Sequence, residues 1–147
     1  MVHENSELVI EYRPDSARFV FPSTMENIDE VIIEAIDFLY SRLDGIKEHA
    51  FAINLVLREG LTNAVRHGNA GDPQKEVTLA VDVSERQRIQ FAIEDQGEGF
   101  DWKEHQNSEI PEDDDHGRGL IIMDSYFTDF SYNEKGNILY LVKDVSV

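Results

Sequence analysis

The chain reads as an α+β protein, a layer of helices packed on a sheet. Three observations predict this. Apolar residues recur at helical spacing over two consecutive stretches of the first half, they alternate at period two after Pro73, and strands and helices come in blocks rather than in strict alternation. Leu8 to Tyr12 reads as an edge strand, with a turn at Pro14-Asp15 and a second short strand at Arg18 to Phe21. Pro22-Ser23-Thr24 punctuates the chain, so Ser23 or Thr24 is expected to cap a helix whose first turn holds Glu26 near the positive dipole end. Ile28, Ile32, Ala35, Ile36, Leu39 and Leu43 form one helical stripe, which Gly45 breaks. A second helix is predicted from about Lys47 to His67, with Ala50, Ile53, Leu57, Leu61 and Ala64 on its apolar side and Gly68-Asn69-Ala70-Gly71-Asp72-Pro73 as its stop.

Beyond Pro73, Val77, Leu79, Val81 and Val83 alternate with Thr78, Ala80 and Asp82, the pattern of a half-buried strand. Glu85-Arg86 makes the turn, and Ile89, Phe91 and Ile93 form the return strand. An irregular acidic and glycine-containing stretch runs from Gly97 to Gly117. A short helix is predicted at Leu120 to Ser125, and a closing hairpin pairs Phe127–Tyr132 with Ile138–Val142. Strands separated by a pair of helices argue for a layer sandwich rather than a doubly wound sheet.

Composition narrows the function. With 147 residues there is enough chain for one domain and a substantial core. The absence of cysteine excludes a disulfide scaffold, a thiolate metal site and a cysteine nucleophile. Thirteen Lys and Arg against thirty Asp and Glu leave a net charge of −17, a field that repels phosphate backbones and anionic lipid, so direct nucleic-acid and membrane binding are not expected. No apolar run approaches a bilayer span and the N-terminus lacks a signal-peptide pattern, so a cytoplasmic, single-domain protein covering 1–147 is the expectation.

Three segments carry chemistry. On the second helix, Glu59, Asn63 and Arg66 follow at i, i+4 and i+7 and share a face away from the core stripe. A carboxylate one turn before a carboxamide offers a base and a neutral oxygen ligand, a set suited to a hard cation such as Mg²⁺. The same three residues also make an ordinary solvated face. Next, the strand ending at Ile93 runs into Asp95-Gln96-Gly97-Glu98-Gly99. A carboxylate at a strand end can accept a hydrogen bond from an exocyclic amine such as that of adenine, and the glycines let backbone approach a flat ring. Read alone, this is also an acidic turn. It is neither a Walker phosphate loop nor a dinucleotide fingerprint, because no G-K-[ST] occurs and the third glycine is missing. Third, Gly117-Arg118-Gly119-Leu120 opens a short helix after Asp113-Asp114-Asp115-His116. Free N–H groups and a cation at a helix start suit a phosphate, and the same sequence suits a plain glycine-rich helix entry. The three aspartates lack spaced metal ligands and read as a solvated run.

Taken together and in this order, the segments resemble the N, G1 and G2 boxes of the GHKL (Bergerat-fold, histidine-kinase-like) ATPases. E-x-x-x-N-A-x-x-H-G is matched by Glu59, Asn63, Ala64, His67 and Gly68. D-x-G-x-G-F-D is matched by Asp95, Gly97, Gly99, Phe100 and Asp101, and the third box by Gly117, Arg118, Gly119 and Leu120. The small size and the H-G-R-G-L-x-x-M phrasing look most like the anti-sigma-factor serine/threonine kinases of partner-switching systems. The resemblance spans about 18–143.

The resemblance implies a two-layer α/β sandwich, a mixed sheet with helices on one face. ATP lies between the helices and a mobile lid over 100–116, with Mg²⁺ bridging the phosphates. Carried over, Asn63 ligates Mg²⁺, Glu59 is the general base for an incoming serine or threonine hydroxyl, and Asp95 reads the adenine amine. Gly97 and Gly99 let the loop pass the base, and Gly117, Arg118, Gly119 and Leu120 contact the phosphates. It further implies a sigma factor and a STAS-domain anti-sigma-factor antagonist as partners, and such kinases often form homodimers. A surface at −17 would suit a basic sigma-factor segment. Two features depart from the family pattern: Asp114, Asp115 and His116 precede the third box where some relatives carry a basic residue, and Gly136-Asn137 stands where many have Gly-Thr. His67 fits the motif and equally a packing or helix-capping role. Two other readings remain: a nucleotide-sensing module that sequesters a partner without phosphorylating it, and an acidic interaction domain with no ligand.

Overall fold

The computed structural model describes residues 8–99 and 122–145. Six strands form one sheet in the order β1-β2-β3-β4-β6-β5: β1 (Val9–Arg13), β2 (Ser16–Pro22), β3 (Glu76–Asp82), β4 (Arg88–Glu94), β5 (Asp129–Tyr132) and β6 (Ile138–Asp144). Helices α1 (Ile28–Arg42) and α2 (Ala50–Asn63) lie between β2 and β3 in the chain, and residues 122–126 are helical. The α+β class and the element order follow the sequence pattern.

Alternation decides which face of the sheet is covered. Ala17, Phe19 and Phe21 of β2, Val77, Leu79 and Val81 of β3, Ile89, Phe91 and Ile93 of β4, and Leu139 and Leu141 of β6 are buried, whereas Arg18, Gln90, Glu94 and Tyr140 between them are exposed. The buried face meets Val31, Ile32, Ala35, Phe38 and Leu39 of α1 and Ile53, Val56, Leu57 and Leu61 of α2 in one core.

The sheet departs from the expected mixed arrangement, because all five described pairings are antiparallel. The cause is the helix pair. One crossover helix would return the chain to make a parallel neighbour. Two helices in succession bring it back to the end of the sheet it left, so β3 runs down beside β2 with Phe19 opposite Leu79.

The start of α1 also differs from expectation. Neither Ser23 nor Thr24 caps it through a side chain. Ser23 Oγ donates to the Val65 carbonyl at 3.4 Å, and Thr24 Oγ1 accepts from Asn27 Nδ2 at 2.8 Å. A 3-10 turn, Met25–Asn27, with Glu26 in it, leads into the helix instead. Leu43 then turns extended and Gly45 takes φ 79°, so the glycine stop works as read.

Candidate functional site

The helix pair also places the site. The end of α2, the end of β4 and the start of β6 arrive at the same end of the sheet. Here α2 does not stop cleanly but widens into a π turn, Ala64–Gly68, with the Asn69 N–H bonding the Ala64 carbonyl at 2.9 Å. Such widened turns are frequent at functional sites, since they re-aim side chains within a helix. Gly60, Asn63, Ala64 and His67 recur at three to four residues and form one wall of a cleft. Ile93 and Leu139 floor it, and Gly99, Tyr132, Gly136 and Asn137 form the far wall around Asp95. The cleft opens to solvent.

Asp95 is the charged group in this setting, and it is 8% exposed. Its Oδ1 accepts from the Gly97 N–H at 2.8 Å, and its Oδ2 lies against Gly68. Burial pushes its carboxyl above the ordinary carboxylate range. The Gly97 N–H opposes that shift, Glu94 adds to it, and Lys135 and Lys75 pull the other way. A half-apolar pocket holding one carboxylate suits a neutral, flat ligand that donates to it.

Three glycines let the backbone crowd around this carboxylate. A Cβ on Gly68 would collide with the Asp95 carboxyl group, and one on Gly97 with the Gly68 carbonyl oxygen. Gly99 combines φ 88° with a carbonyl of Lys135 where its Cβ would stand. The glycines of the second motif therefore serve the protein's own packing as well as any approach of a ring.

Asparagines tie the rim together. Asn69, buried, accepts from the Gln96 N–H at 2.7 Å and donates to the Glu76 carbonyl at 3.0 Å, joining the end of α2 to β3 and to the segment after Asp95. Asn133 Oδ1 accepts from the N–H groups of Gly136, Asn137 and Ile138 at 2.9, 3.0 and 3.0 Å, closing the β5–β6 turn. Asn133 Nδ2 donates to Asn137 Oδ1, and Asn137 Nδ2 donates to the Asp95 carbonyl at 3.2 Å, while the Asp95 N–H bonds the Asn137 carbonyl. Asn137 thus holds the main chain of Asp95 on both sides. Asn69, Asn133 and Tyr132 belong to none of the three sequence motifs. Tyr132 lines the cleft, and burial and then the charge of Asp95 raise its hydroxyl pKa. The alternation of β5, which turns Phe130 and Tyr132 inward, was the available signal for it.

Among the residues singled out from sequence, Asn63, Asp95 and Gly99 face one cleft and Gly97 packs beneath Asp95. Glu59, half-buried one turn before Asn63, is not among the residues that line it. Phe100, Asp101, the 100–116 segment, Gly117, Arg118, Gly119 and Leu120 lie outside the described residues. Among the described residues no group of three or more His, Asp or Glu side chains could hold a metal by itself. The donor set fits a cation that takes one side-chain oxygen and completes its shell with phosphates and water, as Mg²⁺ does.

A sheet with helices on one face thus carries, at the end of its second helix, a cleft that holds a carboxylate, a glycine cradle and an asparagine. Consistently, the histidine kinase-like ATPase domain family matches residues 21–143, and the chain belongs to that family. It is similar to the anti-sigma F factor of Bacillus licheniformis, 27% identical over 136 residues that cover 88% of this chain and 90% of the relative. It is also similar to the anti-sigma F factors of Bacillus cytotoxicus (29%) and Anoxybacillus flavithermus (26%), each over 113 residues covering 72% of this chain and 77% of the relative. Among the described residues no helix is long and apolar enough to cross a membrane.

Proposed function

We propose that this protein is an ATP-binding anti-sigma factor in the cytoplasm that phosphorylates a serine or threonine of a STAS-domain antagonist. The observation that carries the nucleotide reading is the presence of Asp95 and Asn63 in one cleft, with the backbone at Gly68 and Gly97 packed against the carboxylate to hold it in place. The partner reading rests on the similarity to three anti-sigma F factors.

In this reading Asp95 accepts from the exocyclic amine of adenine, which stacks between the Ile93–Leu139 floor and the rim. Asn63 gives its side-chain oxygen to Mg²⁺. The bound cation neutralises phosphate charge, the main requirement of phosphoryl transfer. The resemblance assigns phosphate contacts to Gly117, Arg118, Gly119 and Leu120, which lie outside the described residues. Glu59 takes the proton of the partner's hydroxyl as its oxygen attacks the terminal phosphorus, and ADP leaves. The homodimer common among such kinases belongs to the same proposal.

One observation favours a second reading, a nucleotide-sensing module that sequesters its partner without phosphorylating it: Glu59 stands outside the cleft lining. Incubation with γ-labelled ATP and the antagonist separates the two. Label on the antagonist that vanishes in Glu59→Ala, with ATP affinity kept, supports the kinase. ATP binding without label in the native chain supports the sensor. If saturating Mg·ATP leaves the melting temperature unchanged, both fail, since a ligand at about a hundred times its Kd stabilises by roughly 2.7 kcal/mol.

A further inference from the structure

The floor of the cleft continues past its two aliphatic side chains. The sheet register sets Ile93 opposite Leu139 and Leu139 opposite Tyr132, so three neighbouring strands contribute one row on the helix side. Neighbouring strands lie about 4.8 Å apart, so the row runs for about 10 Å, enough to lay a fused two-ring base along it. Ile93 and Leu139 are buried, whereas Tyr132, on the outermost strand of that end of the sheet, is half-buried and lines the cleft with them.

A tyrosine has an apolar body and a polar tip. The body of Tyr132 stands beside Leu139 on one face of the β5–β6 pair. Its tip lies in the field of the carboxylate: after burial, the charge of Asp95 is what raises the hydroxyl pKa, so the phenol stays neutral there. In the wall around Asp95, Gly99 and Gly136 carry no side chain and Asn137 is bonded to the Asp95 main chain, so the bulk of that wall is the ring of Tyr132. The ring therefore bounds the space next to Asp95, across the cleft from Asn63 and Ala64.

The exocyclic amine of adenine carries two hydrogens. Asp95 takes one, and the other projects toward whatever stands beside the carboxylate. We propose that Tyr132 is a specificity-determining residue of the cleft, its ring filling the space beside Asp95 so that only a purine with an unsubstituted amine fits. This deepens the ATP reading and rests on it. Selectivity of this kind comes from a clash built against the larger ligand rather than from an added bond to the smaller one.

The test measures, by titration calorimetry on the full chain, the binding of Mg·ATP and of two derivatives. One carries a benzyl group on the exocyclic amine, the other a benzoyl group on a ribose hydroxyl. The benzyl derivative keeps one N–H for Asp95, so only its bulk is different. Native protein should bind it at least about tenfold more weakly than ATP, because a filled site yields to extra carbon only at a cost. Tyr132→Val, which suits a strand and opens the space, should bind it at least about tenfold more tightly than native protein does. Tyr132→Leu serves as a second small variant if valine leaves the chain unfolded. Tyr132→Phe keeps the bulk and should reject the benzyl derivative as the native protein does, which separates ring from hydroxyl. The ribose derivative should bind native protein and Tyr132→Val alike. The proposal is overturned if native protein binds the benzyl derivative as tightly as ATP, or if Tyr132→Phe gains as much as Tyr132→Val. An equal gain for both derivatives in Tyr132→Val overturns it too, since that means a generally loosened cleft. The two readings fail differently: a native chain that binds no ATP ends the ATP reading and this one with it, whereas ATP binding without any gain in the small variants removes Tyr132 alone.

Discussion

The cleft rim and the β1–α1 corner are both held by polar contacts, but they are built differently. At the rim, main-chain atoms pass so closely that glycine is required at Gly68, Gly97 and Gly99, and asparagine side chains finish the backbone hydrogen bonds. At the corner, Tyr12 stacks on Phe38 with centroids 6.0 Å apart and donates to Glu34 at 3.0 Å. Arg42 lies 4.7 Å over the Phe38 ring and donates to the Pro14 carbonyl. The rim is a shape fixed by backbone, with no slack. The corner is a contact of exposed side chains, Tyr12 and Arg42, on a buried ring, Phe38. A binding surface needs the first kind of construction, whereas fastening an edge strand needs only the second.

The largest effect that could break this contrast is Gly97→Ala. Its methyl meets the Gly68 carbonyl oxygen, which cannot yield without moving the π turn or Asp95. We expect a loss of about 3 kcal/mol or more in urea unfolding, with loss of nucleotide response. A change within about 0.5 kcal/mol would mean the rim is as forgiving as the corner. Asn133→Ala comes next. It strips the acceptor from three N–H groups of the β5–β6 turn, with an expected cost of about 2 kcal/mol. Hydrogen exchange at Gly136, Asn137 and Ile138 should quicken; unaltered exchange there would remove Asn133 from the account.

Asp95→Asn sharpens the comparison because stability and binding should move in opposite directions. Burial raises the Asp95 pKa in the folded state, so folding favours the protonated acid. The stabilising contribution of that acid is present below the unfolded-state pKa and disappears as pH rises through the folded one. At pH 7 the native protein therefore carries the cost of a buried carboxylate. The asparagine variant should melt at or above the native temperature at pH 7, by an amount that shrinks toward acid pH, yet lose nucleotide affinity by about tenfold or more. A variant that melts lower at pH 7 and still binds would show the carboxylate to be structural.

Much of this contrast was hidden in the sequence for a physical reason. Periodicity reports which face of an element is buried, so both helices, the alternating strands and the closing hairpin were legible from Ile28, Ile32 and Leu39 or from Val77, Leu79 and Val81. Motif spacing pointed to Asn63 and Asp95. Periodicity says nothing of how two main-chain segments meet. The reason Gly97 must be glycine is the Gly68 carbonyl, and the reason Asn137 matters is the Asp95 carbonyl, both contacts between distant parts of the chain. The caps failed likewise: Ser23 and Thr24 are fit to cap, but Ser23 bonds the distant Val65 carbonyl and Thr24 the Asn27 side-chain amide. The mixed sheet, an expectation from resemblance, gave way to the antiparallel one that a helix pair enforces.

The smallest expected effect tests the corner itself. Tyr12→Phe removes the bond to Glu34 while keeping the stack on Phe38, and with the ring 48% exposed the loss should be about 0.5 kcal/mol. Its pH signature is more telling. Burial, then the hydrogen bond and charge of Glu34, push the Tyr12 hydroxyl up to about 12. The folded state therefore holds this proton more tightly than the unfolded state, whose phenol titrates near the ordinary value of 10. The contribution is complete below pH 10 and drains away as pH rises toward 12. Phenolate absorbance during alkaline titration should show one late-ionising tyrosine disappear in Tyr12→Phe, and the variant's unfolding free energy should fall less steeply than the native protein's over that interval. Parallel slopes would detach Glu34 from Tyr12 and leave stacking alone to hold β1 against α1.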